Sequence, residues 1–296
     1  MDQTAYVARV FNEMAGEYDH LKDPWYRYTF SEIEKALRHH FRPYAGRQFK
    51  PLGLDIGCGT GIQSLILAEL GYRVEGIDIA DDLLEIARAK LSNAGYSDVR
   101  FQHADATTLP FESGTADVVN CCGPTLSFVP DWQKALREIS RCLKPGGKLL
   151  LEVEGRWTPD IFWEVINALI GNHLGYDKSL GSAVKQLLPP WNRGCSMEYS
   201  FVLESGETVK MPLRMFTAGE LSRELARVGL VVERRWGLHC FTNIIPSTLL
   251  HRADASPLVW SLFRKLAYVE RLLHRHWPFN ALACSLLVVA IKEDSA

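Results

Sequence analysis

Short apolar runs alternate with helix-like stretches between residues 52 and 154. The apolar runs predict five strands, at 52–56, 73–77, 99–103, 116–122 and 147–153. The stretches between them predict helices at 61–70, 81–93 and 131–142. A Lys-Pro-Gly-Gly segment at 144–147 then stops the last of these helices, because Pro and Gly cannot continue it. This rhythm is typical of an α/β fold in which helices cover both faces of a parallel sheet.

The rhythm changes after residue 154. Two alternating runs, 195–204 and 207–216, are joined by Ser205-Gly206 and predict a β-hairpin. Strand and helix patterns then return, with a helix at 217–230, a strand at 231–238, a helix at 257–275 and a strand at 284–292. We interpret the chain as one α/β domain in four parts: an N-terminal helical cap (1–50), a first core segment (51–154), an inserted lid (155–216) and the rest of the core (217–296).

Composition narrows the functional classes. The chain has 296 residues, 47% of them hydrophobic, and a formal net charge of −2, which offers no basic field for a nucleic-acid backbone. The N-terminus lacks the pattern of a secretory signal, and the apolar run at 281–291 is shorter than the ~20 residues of a membrane span. Seven scattered cysteines without a CxxC pair predict reduced thiols, no metal site and a cytoplasmic location. A monomer and a homodimer both fit.

Three glycines follow the first predicted strand, in LGLDIGCGTG (52–61). Gly57, Gly59 and Gly61 allow a tight turn whose backbone N–H groups approach a ligand closely. Both a nicotinamide dinucleotide and S-adenosylmethionine suit such a loop. The dinucleotide motif GxGxxG would place its third glycine at Ile62, and Asp55 would repel a pyrophosphate. A carboxylate at Asp55 suits the α-ammonium of a methionine group, reached directly or through water.

Two further acids follow the next strands. Asp78 follows the second strand, where a carboxylate can accept both hydroxyls of a ribose, and Asp105 follows the third, where it can accept the exocyclic amine of adenine. Because parallel strands end at one edge of the sheet, Asp55, Asp78 and Asp105 are expected to line one crevice there.

These segments resemble those of a known family. LDIGCGTG, GIDIA, ADATTLPF, DVV and LREISRCLKPGGKLLLE, spread over about 50–154, are similar to the class I S-adenosylmethionine-dependent methyltransferases. FNEMAGEYD (11–19) resembles the family's N-terminal helix over the cofactor. The resemblance implies a Rossmann-like, doubly wound, seven-stranded and mostly parallel sheet, S-adenosyl-L-methionine as cofactor and a small-molecule substrate. The expected cofactor site comprises Tyr18, Asp55, Gly57, Cys58, Gly59, Gly61, Asp78, Ile79, Asp105, Ala106 and Cys122.

The methyl acceptor is less defined. An acceptor hydroxyl would need a base, for which His239 is the first choice and His173 and Glu154 are others. Thr125, Trp157 and Trp191 are the expected substrate residues, and the many aromatic residues either wall a pocket for an apolar or aromatic molecule or form the lid's core. Cys121 and Cys122 should face opposite sides of a strand and so not chelate together.

Two other functions and one other partner stay open. A nicotinamide-dependent oxidoreductase and a catalytically silent methyltransferase-like binding module are the alternative functions. The amphipathic segment 257–277 either packs on the sheet or lies on a membrane surface.

Overall fold

A computed structural model describes residues 2–16, 18–20, 23–41, 50–171, 173–176, 180–202, 208–251 and 255–294. Its strands are β1 (Leu52–Ile56), β2 (Arg73–Asp78), β3 (Val99–His103), β4 (Ala116–Cys121), β5 (Leu143–Glu154), β6 (Cys195–Val202), β7 (Thr208–Met215), β8 (Leu230–Leu238) and β9 (Ser285–Lys292). Its α-helices are α1 (Gln3–Glu13), α2 (Pro24–His40), α3 (Ile62–Glu69), α4 (Asp81–Ala94), α5 (Thr125–Phe128), α6 (Trp132–Cys142), α7 (Asp160–Leu169), α8 (Leu180–Leu187), α9 (Ala218–Arg227), α10 (Ser247–Leu250) and α11 (Pro257–Leu273).

The predicted seven-stranded sheet is confirmed. Its order is β3-β2-β1-β4-β5-β9-β8. The first five of these strands are parallel, and β9 runs antiparallel to both β5 and β8. The strand order reverses between β1 and β4, which places a crevice at their carboxyl ends, the usual ligand position in such sheets.

The start of β5 differs from the prediction. Pairing with β4 begins at Leu143, opposite Ala116, and resumes at Lys148, opposite Val118. The segment 144–147 is therefore accommodated by an irregularity inside the strand rather than by a loop before it. The helix stop is placed as expected, since α6 ends at Cys142.

Two apolar layers cover the sheet. One face packs against α6 and α9 and includes Cys121, whereas the other packs against α2, α3, α4 and α11 and includes Cys122. The two cysteines therefore lie on opposite faces, as strand alternation predicts. All seven cysteines are free.

The N-terminal helix and the hairpin pack together near the carboxyl edge of the sheet. β6 and β7 form a separate antiparallel pair, and their predicted Ser205-Gly206 turn lies outside the described residues. Val7 and Val10 of α1 pack in one cluster with Met211 and Leu213 of β7 and with Phe128. This arrangement brings two distant parts of the chain over the crevice.

Across the described residues, no helix combines the length and the apolar character that a membrane-spanning segment requires. The four-part division of the chain stays a prediction.

Candidate active site

The glycine loop turns sharply between β1 and α3. Gly57, Gly59 and Gly61 all have positive φ values, between 52° and 81°. The N–H groups of Gly57 and Cys58 donate to the carbonyl of Ile77 at 2.8 and 2.9 Å. A Cβ at Gly57 would lie 2.2 Å from Oγ1 of Thr125, so the start of α5 approaches this backbone too closely for Gly57 to carry a side chain.

Asp78 and Asp105 lie where their strands predict. Oδ2 of Asp78 accepts the N–H of Gly59 at 2.8 Å, and Oδ1 accepts the N–H of Ala80 at 2.9 Å. Burial raises the pKa of Asp78 above its usual value. Oδ1 of Asp105 accepts the N–H of Thr107 at 2.7 Å. Both carboxylates line the same cavity, where their remaining lone pairs can accept hydrogen bonds from a ligand.

This first cavity encloses about 680 Å³, counted with its open mouth. Seven of the predicted cofactor residues line it, and so does Thr125; the seven are Tyr18, Gly57, Gly59, Asp78, Ile79, Asp105 and Ala106. Apolar side chains of α1 and of the segment after β4 supply much of the remaining wall. The cavity therefore offers glycine backbone and carboxylates at strand ends, with apolar cover.

A second, larger cavity adjoins the first and encloses about 1890 Å³, again with its mouth. Aromatic side chains of α2 and β6 wall part of it, including Trp25, Tyr26 and Tyr199. Five carboxylates also line it: Glu152, Glu154, Asp160, Glu164 and Glu198. Such a mainly apolar wall with a few polar groups is typical of a small-molecule site.

The two cavities share a wall made of Phe11, Tyr18, Gly123 and Phe128. Cε1 of Tyr18 lies 3.7 Å from where a Cβ would stand at Gly59, and the hydroxyl of Tyr18 lies 3.8 Å from where a Cβ would stand at Gly123. Its ring thus spans the gap between the glycine loop and the turn after β4. Burial, followed by the nearby Asp78, raises the pKa of Tyr18 well above its usual value, so the phenol stays protonated.

Hydrogen bonds fix two of the acids in the second cavity. Glu152 accepts the hydroxyl of Ser285 at 2.6 Å and the N–H of Gly123 at 2.8 Å, so it holds the shared wall in place. Asp160 accepts the hydroxyl of Tyr176 at 2.7 Å. Burial raises the pKa of both carboxyls.

Asp55 does not reach the ligand position that its spacing suggests. It is fully buried, and its two oxygens accept the hydroxyl of Ser64 at 2.5 Å and the amide of Asn120 at 2.7 Å. Asp55 lies within β1, so strand geometry directs its side chain under α3 rather than toward the loop's open side. Asp55 lines neither cavity, so the structure does not bring its carboxylate to the expected position for a direct contact with an α-ammonium.

Three other expected cofactor residues lie beneath the cavity rather than on its wall. The side chains of Cys58 and Cys122 are buried in the core layer beneath the sheet. Gly61 is the N-cap of α3, where a Cβ would lie 2.8 Å from the ring of Phe101. None of the three lines either cavity.

His239 is also misplaced for catalysis. Its ring is fully buried, stacks on Trp25 at 4.0 Å, and bonds to Thr29 Oγ1 at 2.7 Å and Thr242 Oγ1 at 2.8 Å. Its φ of 62° is in the left-handed region, and burial holds its pKa well below the usual value. His239 lines neither cavity and instead braces Trp25 and Thr29, which do line the second.

The two predicted tryptophans lie outside both cavities. Trp157 packs under the guanidinium of Arg156 at 5.0 Å and lines a separate apolar groove beside α7. Trp191 is 64% exposed, with its indole N–H donating to the carbonyl of Leu187. Aromatic composition does not show in which direction these rings point. Of the candidate bases, Glu154 lines the second cavity and His173 does not.

Sequence reasoning missed Phe11, Phe128 and the buried acids of the second cavity. Asp160 meets Tyr176 and Ser247 there, although these residues are 16 and 87 positions away along the chain. No short motif marks such a cluster. Within the described parts of the chain, no three His, Cys, Asp or Glu side chains converge to hold a metal ion.

Comparison with known proteins agrees with this geometry. Residues 54–151 match a family model described as a methyltransferase domain. The chain is 33% identical over 147 residues to a sterol 4-C-methyltransferase of Caenorhabditis elegans, covering 49% of this chain and 44% of the relative. It is 32% identical over 154 residues to a demethylmenaquinone methyltransferase of Lactococcus lactis, covering 49% and 56%. The matched region thus spans about half the length of these curated relatives.

A solved structure extends the likeness to the whole fold. The geranyl diphosphate C-methyltransferase of Streptomyces coelicolor, crystallised with S-adenosyl-L-homocysteine, superposes with a TM-score of 0.58 at 17% identity, covering 99% of both chains. The family model covers the glycine loop and both strand-end aspartates that line the first cavity. Residues 54–151 therefore match a methyltransferase domain by sequence, and the chain as a whole shares the fold of this solved C-methyltransferase.

Proposed function

We propose that this protein transfers a methyl group from S-adenosylmethionine to a small molecule held in the second cavity. The observation that carries the proposal is the wall shared by the two cavities, since methyl donor and acceptor must meet in line at close distance. One cavity offers the glycine loop and strand-end carboxylates. The other offers aromatic walls and enough volume for a ring-bearing molecule.

The first cavity fits S-adenosylmethionine. Asp78 would accept the ribose hydroxyls, while Asp105 and the N–H of Ala106 would bind the adenine edge. Gly57 and Gly59 would let the methionine part approach the backbone, because neither carries a side chain. When bound, the cofactor supplies an electrophilic methyl group on a positively charged sulfur.

The chain's own groups would orient the acceptor and exclude water. Phe11, Tyr18 and Phe128 line both cavities with apolar ring surface, which would exclude water where methyl donor and acceptor meet. Trp25 and Tyr199 would hold the acceptor by ring contact. Glu154, on the wall of the second cavity at the end of β5, would take a proton from an acceptor hydroxyl.

We infer an apolar or aromatic acceptor with at least one ring. The volume and aromatic walls of the second cavity support this class. The names of the curated relatives, which specify a sterol and a demethylmenaquinone, support it further.

Calorimetric titration with S-adenosylhomocysteine tests the cofactor assignment, and a folded protein that does not bind it would sink the proposal. Transfer of labelled methyl from S-adenosylmethionine to a panel of ring-bearing acceptors tests the reaction. Binding of S-adenosylhomocysteine without transfer to any acceptor would favour the silent binding module. NADH fluorescence enhancement would favour the oxidoreductase.

A further inference from the structure

The long helix α11 has an outward face that the fold does not cover. Its inward side places Phe263, Ala267 and Glu270 in buried positions against α2 and the sheet. Four exposed apolar side chains form a stripe along the outer side: Leu258, Leu262, Val269 and Leu272. Their spacing of four, seven and three residues keeps them on one side of a helix, over about 21 Å.

A band of positive charge accompanies this stripe. Arg264, Lys265, Arg271 and Arg275 are all exposed. The single acid between residues 255 and 277 is Glu270, which is fully buried and accepts the backbone N–H groups of His239 and Phe241 at 2.7 and 2.8 Å. Helical spacing places Lys265 within the apolar stripe, whereas the three arginines lie along one edge of it, and Arg271 reaches Glu32 of α2.

The neighbouring helix α2 adds to the same charge. The guanidinium of Arg27 lies 6.0 Å from the ring of Trp260, and exposed Lys35 shares Glu32 with Arg271 at 2.7 and 2.8 Å. Glu32 therefore neutralises one of the two positive charges of Lys35 and Arg271. The cations outnumber the acids that face them, so the surface complements an anionic partner.

We propose that the outer face of α11 docks this protein on the surface of an anionic lipid bilayer. The leucine stripe would enter the boundary between headgroups and acyl chains, and the cations would bind lipid phosphates. Trp277, 81% exposed just beyond the helix, and Tyr268, 65% exposed, are residue types suited to that boundary.

A second copy of this chain fits the face less well. In a two-fold dimer the same face meets itself, so the cations of one α11 would oppose those of the other. A bilayer of anionic lipid meets the apolar stripe and the positive charge together.

Vesicle co-sedimentation tests the proposal. The protein should sediment with vesicles containing phosphatidylglycerol at least about tenfold more strongly than with phosphatidylcholine alone, and added salt should weaken this. The double variant Leu262→Gln and Leu272→Gln should lose about tenfold or more of that binding. Leu169→Gln is the matched control, because Leu169 is 68% exposed on α7 and outside this face.

Three outcomes would overturn the proposal: equal binding to both vesicle types, no loss in the double variant, or an equal loss in the control. Sedimentation velocity adds a fourth, since a dimer that the double variant abolishes would assign the face to a second copy. Titration of the double variant with S-adenosylhomocysteine should match the wild-type result. That readout separates failure of the lipid surface from failure of the proposed methyl transfer.

Discussion

Replacing Asp78 with asparagine tests the assignment of the cofactor cavity most directly. The substitution keeps the shape of the side chain and removes its charge. It also turns one acceptor into an amide donor, which would face the N–H of either Gly59 or Ala80. Each hydrogen bond from a ribose hydroxyl should weaken by about 1 kcal/mol when its acceptor loses its charge. Two such bonds give about 2 kcal/mol, or roughly a thirtyfold rise in the Kd for S-adenosylhomocysteine.

Isothermal titration calorimetry measures this change. Asp81→Asn is the matched control, because Asp81 is exposed, lies 3.0 Å from His103 and does not line the cavity. We expect the control to bind within about twofold of the wild type, since distant exposed charges are screened. Circular dichroism establishes that both variants are folded. An unchanged Kd in folded Asp78→Asn would refute the placement of the ribose at this carboxylate.

Other substitutions test the fold and the corrected roles. Gly61→Ala should lower the free energy of unfolding, measured by urea titration, by about 2 kcal/mol or more, because the added Cβ would lie 2.8 Å from the ring of Phe101. Gly95 has a similar positive φ but open space around it, so Gly95→Ala should lower the same free energy by only about 1 kcal/mol. Burial raises the pKa of Asp55 from 3.8 to about 6. The folded state therefore binds the carboxyl proton more tightly than the unfolded chain does, and the free energy of unfolding falls as the pH rises from about 4 to about 6. In pH-dependent urea titrations, Asp55→Asn should remove up to about 3 kcal/mol of that loss, and an unaltered pH dependence would contradict the raised pKa. His239→Gln should leave the pH dependence of kcat/KM unchanged, because His239 lines neither cavity; loss of an acid limb in that profile would restore a catalytic role.

The parts of the fold that sequence could predict are those with regular burial. β1 is buried at every position and α6 carries a single apolar stripe, so the sequence pattern predicts the bounds of both to within a residue. Asp78 and Asp105 follow parallel strands, and their common edge is a property of the topology. The irregular start of β5 escaped prediction because segment 144–147 breaks a helix locally yet is absorbed by a non-local pairing with β4.

Side-chain direction explains the errors at the site. Asp55 lies only two residues before Gly57, but β1 continues to Ile56. Asp55 therefore stays inside the strand, with its side chain under α3. His239 follows β8 as a catalytic residue could, yet its ring is buried and stacks on Trp25. The spacing of residues along the chain does not show in which direction either side chain points. The second cavity joins α2, β5, α7 and β6, so its composition depends on contacts across most of the chain.

The wall shared by the two cavities has a thermodynamic consequence. Phe11 and Tyr18 belong to one short N-terminal stretch, and both contact each cavity. A ligand that orders this stretch in one cavity prepares it for the other, so the second ligand meets a smaller entropic cost. Linkage makes the effect reciprocal: any factor by which the cofactor tightens acceptor binding is the factor by which the acceptor tightens cofactor binding.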